Sequence, residues 1–232
     1  MPSDQGVPEG ATFWTHDAGG LYREAVWEYE RSLKPRQAEG TDERSPFRRL
    51  KAITPAAMSL EALLPEFLLF ARFIISPRGP RTDELSAWAT EILAMGRHAD
   101  IRCKYRMAYL ALSGRPWPKN HHLHQRMDTL FGMRNAAVHL QPTWYANGGD
   151  GGQRRAILSK SFLRRLRKEG LLPPGYQGGR GLSWIHNLVS PGTERWACET
   201  VQTVFAHFEA AGGTNTRTFF EVQREGHFRF GS

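Results

Sequence analysis

A chain of 232 residues can bury a core of its own, and 40% apolar with 23% charged residues is a globular composition. A net charge of +8 and a pI of about 9.9 favour an anionic partner, although a coding bias toward Arg would raise the charge equally well. Two cysteines, Cys103 and Cys198 in helix-like surroundings, exclude a disulfide framework.

Residues 1–12 lack apolar periodicity and are predicted to be disordered; MPSDQGVPEGATFW has neither a basic n-region nor an apolar h-region. Asp17 is placed to cap a first helix, in which Leu21, Ala25, Tyr29 and Leu33 recur every fourth residue. The charged stretch 35–46 reads as a loop. Thr54-Pro55 predicts the start of a second helix reaching about Ile75, apolar almost all round and therefore central, which Pro65 should kink or divide. Its most apolar run, Phe67 to Ile75, contains Arg72 and is too short to span a membrane, so a soluble cytoplasmic protein is expected. Thr82-Asp83-Glu84 opens a helix toward Leu112 with a break near Gly96. GRPWPKN forms a loop, and another helix starts near His121. Residues 141–158 include the flexible NGGDGG, followed by the short basic helix SKSFLRRLRKEG and the loop PPGYQGGRG. Ser190-Pro191 begins a last helix that should end before Gly212-Gly213, and TFFEVQ-REG-HFRF alternates as a terminal β-hairpin would. The expected architecture is all-α, a bundle of four to six helices over 13–212 with an insertion at about 141–190 and a tail or hairpin at 213–232.

The segment that carries chemistry is Arg134-Asn135-Ala136-Ala137-Val138-His139, at the end of the apolar LHQRMDTLFGM and just before Pro142. Arg grips a phosphate at any physiological pH, and His moves a proton near pH 7. Together they suffice for metal-free RNA cleavage, in which the 2′-OH attacks its own phosphate. It is the only Arg-x4-His spacing in the chain. On an ideal helix, positions five apart lie about 140° apart while positions four apart nearly eclipse. Asn135 and His139 would thus share a face, and Arg134 would point elsewhere unless the helix unwinds before Pro142 or a second chain supplies the missing partner.

In this context the segment resembles the Arg-polar-x3-His motif of the HEPN superfamily (higher eukaryotes and prokaryotes nucleotide-binding domains). The likeness extends more weakly over about 50–210, through the helices around Leu60–Phe70, Lys104-Tyr105 and Trp196–Phe208. It implies a helical bundle and a composite site at a homodimer interface. It also implies a metal-independent endoribonuclease without cofactor, of toxin or antiviral type, with a cognate antitoxin or regulatory protein as a further partner. Arg134 would then neutralise the phosphorane-like transition state, His139 act as general base or acid, and Asn135 orient His or phosphate. Other members only bind nucleotides or partner proteins. A non-catalytic module binding nucleotide, nucleic acid or protein is therefore the alternative, and a helix-end capping role for Arg134 and His139 the plainer one.

Arg154, Arg155, Lys160, Arg164, Arg165, Arg167 and Lys168 run without an acid until Glu169, which reads as a sequence-independent RNA track or as a solvated helix face. Trp117, Trp144, Tyr145 and Tyr176 could stack unpaired bases or cover a core edge. His121, His122 and His124 have no carboxylate or Cys at ligand spacing, so no metal site is expected. Glu61 and Glu66 are candidates to pair with Arg134 or Lys104.

Overall fold

Among the described residues, apolar side chains at three- and four-residue spacing give each helix a buried face. In the computed structural model the described residues are 17–33, 50–73, 80–96, 99–138, 160–176, 185, 187–189 and 192–226, and none of them lies in a strand. The helices are α1 (Asp17–Leu33), α2 (Leu50–Phe73), α3 (Pro80–Ala94), α4 (Ile101–Ser113), α5 (His122–Val138), α6 (Lys160–Lys168) and α7 (Gly192–Gly226). The described residues fall into two compact units. The first takes those up to Arg23, from Met58 to Pro118 and from Phe205 on; the second takes Glu24–Ala57 and Lys119–Val204.

α2 starts at Leu50, ahead of Thr54-Pro55, and Pro65 does not divide it. Long and apolar enough to cross a membrane by length and composition alone, its apolar window is 61% buried within the protein. Lys51, Thr54, Met58, Glu61, Pro65, Leu69 and Arg72 are among its less buried residues and recur at three- and four-residue spacing. α2 thus keeps one outward face, which carries Pro65, instead of being buried all round as expected. α1 buries Ala18, Tyr22 and Ala25, while Leu21 and Tyr29 are half-buried and Leu33 is exposed, so of the expected row only Ala25 is fully buried.

In the first unit, Asp100 caps α4 by accepting the Arg102 backbone N–H at 3.0 Å, and Gly114 ends the helix at φ 67° with its N–H on the Leu110 carbonyl. The hydrogen bond from the Arg102 side chain is the largest influence holding the Asp100 carboxyl below its usual range. The buried Tyr105 donates its hydroxyl to the Leu60 carbonyl at 2.6 Å. Desolvation, helped by the nearby Glu61 and Glu66 carboxylates, pushes its phenol well above its ordinary pKa.

The C-terminal segment departs from the expected hairpin. α7 breaks at Gly213 (φ 58°, ψ −151°), as the Gly pair predicted, but then resumes as helix to Gly226. Thr216, Phe219, Phe220 and Gln223 are buried at the i, i+3, i+4, i+7 spacing of a helical stripe, whereas Val222, the next apolar residue of the apparent alternation, is exposed. The Phe219 and Phe220 rings pack 5.5 and 5.8 Å from Phe67. The stretch 227–232, the expected second strand, lies outside the described residues.

Glu66 takes part in this packing. It accepts the Ala18 backbone N–H at 2.9 Å, at the first turn of α1, and the Gln223 side-chain amide at 3.2 Å. Lys104 instead donates to the Gly96 carbonyl.

Candidate functional site

The site is built on α5, in the second unit. Leu123, Met127 and Leu130 form its fully or nearly buried stripe. At 100° per residue Arg134 falls on that same stripe, one turn further on, where the helix is near its end. A guanidinium thus continues an apolar row, half-buried, and donates from Nη1 to Asn135 Oδ1 at 2.8 Å. Asn135 itself is exposed. The structure brings these two motif residues together; His139, Arg154 and Arg155 lie outside the described residues.

The basic helix α6 packs on another face of α5. A Cβ added at Gly132 would stand 2.8 Å from the Phe162 ring, so the glycine is what lets the two helices approach this closely. Six residues further along α6, Lys168 Nζ donates to Gln125 Oε1 at 3.1 Å, so α6 runs antiparallel to α5. Phe162, Leu163 and Leu166 point inward, while Arg164, Arg167 and Lys168 are exposed and Arg165 is half-buried, 5.9 Å from the Phe162 ring centre. The side chain of Lys160 is not among those described. Gly132 and Arg134 point about 160° apart on α5, so the basic face of α6 and the motif Arg are not gathered on one face.

The feature that sequence reasoning missed is an ionic clasp below the motif. Arg126, eight residues before Arg134 on α5, has Nε 3.7 Å from Glu169 Oε2 and Nη2 3.9 Å from Glu199 Oε2. It also donates to the Trp196 carbonyl at 3.2 Å and lies 5.3 Å from the Trp196 ring centre. The indole Nε1 of Trp196 donates to Glu169 Oε2 at 3.0 Å, and His122 Nε2 stands 3.3 Å from Glu169 Oε1. Burial lowers the Arg126 pKa, and the two carboxylates oppose that shift. One signal was legible: Glu169 is the lone acid that ends the basic run, but its partners stand 43 and 27 residues away in sequence.

Among the remaining candidates, Trp117 serves packing. It is 3% exposed and stacks among Tyr109, His207 and Phe208 at 5.2 to 5.6 Å, which covers a core edge and leaves no ring face for a base. Tyr176 is half-buried in a turn whose N–H bonds the Pro173 carbonyl, and Trp144 and Tyr145 lie outside the described residues. His124 is buried with Nδ1 3.8 Å from Asp128, and no group of three His, Cys, Asp or Glu side chains gathers among the described residues. Comparison with family models, with curated proteins and with solved structures finds no match in any of the three.

Proposed function

We propose that the protein is a metal-independent endoribonuclease of HEPN type that cleaves single-stranded RNA. The observation that carries the reading is Arg134, a half-buried guanidinium set in an otherwise apolar stripe at the end of α5 and joined to Asn135. Placing a permanent charge on a core-facing row has an energetic cost that a surface position would avoid, and such departures from local rules concentrate at functional sites. The exposed Arg164, Arg167 and Lys168 of α6 support an RNA partner, since such a row binds phosphates regardless of sequence.

In this reading the 2′-OH oxygen forms a bond to phosphorus as the bond from phosphorus to the 5′-oxygen breaks. His139 takes the 2′-OH proton or delivers one to the leaving oxygen, and a second copy's motif can perform the other transfer. Arg134 neutralises the charge gathering on the phosphoryl oxygens, with Asn135 fixing its guanidinium. The products are a 2′,3′-cyclic phosphate and a 5′-OH. A homodimer, and a toxin or defence setting with an antitoxin or regulatory partner, belong to the same proposal through the family likeness alone.

The test is cleavage of mixed RNA and tRNA pools in excess EDTA by wild type, Arg134→Ala and His139→Ala. EDTA-resistant cleavage with cyclic-phosphate ends, lost in both variants, is expected. An inert wild type that nevertheless binds RNA or nucleotide would replace the nuclease with the non-catalytic module.

A further inference from the structure

The ionic clasp joins three segments that are distant in the chain, and one of them is the end of the basic helix. Glu169 follows α6 directly and receives Trp196 Nε1–H at 3.0 Å, with Arg126 at 3.7 Å and His122 at 3.3 Å. At the other end of α6, Phe162 is seated on Gly132 with no room for a methyl group. α6 has only nine residues, too few for a stable helix alone, so its place depends on these two anchors, on Leu163 and Leu166 between them and on the Lys168–Gln125 hydrogen bond.

We propose that Glu169 is a positioning residue for RNA: clasped by Arg126 and Trp196, it fixes the register of α6 on α5 and so the line along which Arg164, Arg167 and Lys168 meet phosphates. The proposal rests on the RNA-directed reading above. It makes a prediction whose sign is opposite to simple electrostatics. Removing a carboxylate from a basic surface should tighten polyanion binding, because it removes a repulsion. If Glu169 acts by holding α6, removing its charge weakens binding instead.

The experiment compares full-length wild type, Glu169→Gln and, as a pure charge control, Glu24→Gln at an exposed position on α1. Binding of a labelled 20-nucleotide single-stranded RNA and hydrogen exchange of the α6 amides are both read. Glu169→Gln is expected to raise the Kd about fivefold or more and to speed exchange across 161–168, while Glu24→Gln leaves exchange unchanged and binds equally or slightly tighter. Trp196→Phe deletes the indole donor without changing charge and should shift both readouts in the same direction by less, which keeps the test valid if Glu169→Gln does not fold. Unchanged or tighter RNA binding by folded Glu169→Gln overturns the proposal while the nuclease reading stands. Unchanged exchange in both variants overturns it whatever the ligand is, and a wild type that binds no RNA sinks the nuclease reading separately.

Discussion

The two compact units both bury apolar side chains and differ in what reinforces that packing. In the first, aromatic rings carry the packing: Phe67, Phe219 and Phe220 lie within 5.8 Å of one another, and Phe205 packs edge-on to Phe220 at 5.1 Å. In the second, the segments around α5 are joined by Arg126, Glu169, Glu199 and Trp196, through contacts of 3.0 to 3.9 Å. Ring packing has no preferred partner and resists salt. An ionic clasp demands particular partners and defines register. The second kind of cohesion is found where the proposed RNA-facing helix must be held in one place.

Deleting a ring should have the largest effect. Phe220→Ala, at a fully buried position, should cost about 3–5 kcal/mol, and thermal melts should show the same loss in low and high salt. At the contact between α5 and α6, Gly132→Ala forces the Phe162 ring or the whole of α6 to move and should cost about 1–3 kcal/mol. Adding Phe162→Leu should recover part of that loss in a double-mutant cycle, and strict additivity would show that the two side chains do not meet.

The clasp comes next. Arg126→Met keeps much of the packing but removes the cation shared by Glu169 and Glu199. It should cost about 1–2 kcal/mol, less than breaking a fully buried pair, because Arg126 is 15% exposed and the carboxylates keep the Trp196 indole N–H and Arg195. That difference should narrow in 1 M salt, and an identical loss at both salt concentrations would mean that the clasp acts only through shape.

The smallest effect is at the α4 cap. Asp100 has a lowered pKa in the folded state, so its ionic contribution is present above the unfolded value near 4 and is lost as pH falls through the folded value. Its side chain is 47% exposed, so solvent screening reduces the contribution to a few tenths of a kcal/mol. Asp100→Asn retains a cap acceptor, and its melting temperature should lie below wild type at pH 6, with the gap closing as pH falls through the lowered folded value. Thiol chemistry adds a check on burial in the second unit. Desolvation pushes the Cys198 thiol up to about 12, so at pH 8 it should resist alkylation until the protein unfolds.

Much of the helical plan was legible because it depends on neighbours in sequence. The break near Gly96 falls between α3 and α4 as read, whereas the Asp100 cap that follows it was not singled out, and Gly213 interrupts α7 as its glycine pair suggested. Where local signals misled, burial outweighed them. Pro55 and Pro65 both lie within α2, whose apolar surroundings keep it helical, and Phe219-Phe220 joins a helix because Thr216 and Gln223 complete its buried stripe.

The candidate site divides in the same way. Arg134, Asn135 and the basic run can be chosen from sequence, since charge and residue type are written there. Their relation could not be read: α6 packs on Gly132, on a different side of α5 from Arg134, and only the antiparallel packing of the two helices decides that. The clasp was still less visible, because Arg126 and Trp196 are 70 residues apart. By itself the sequence determined a predominantly helical plan, the basic charge and the residue types of the candidate site, since periodicity and side-chain type are local properties. Tertiary structure alone decided which of those charges face solvent and which are bound to one another, because pairing depends on distances in space that no spacing along the chain encodes.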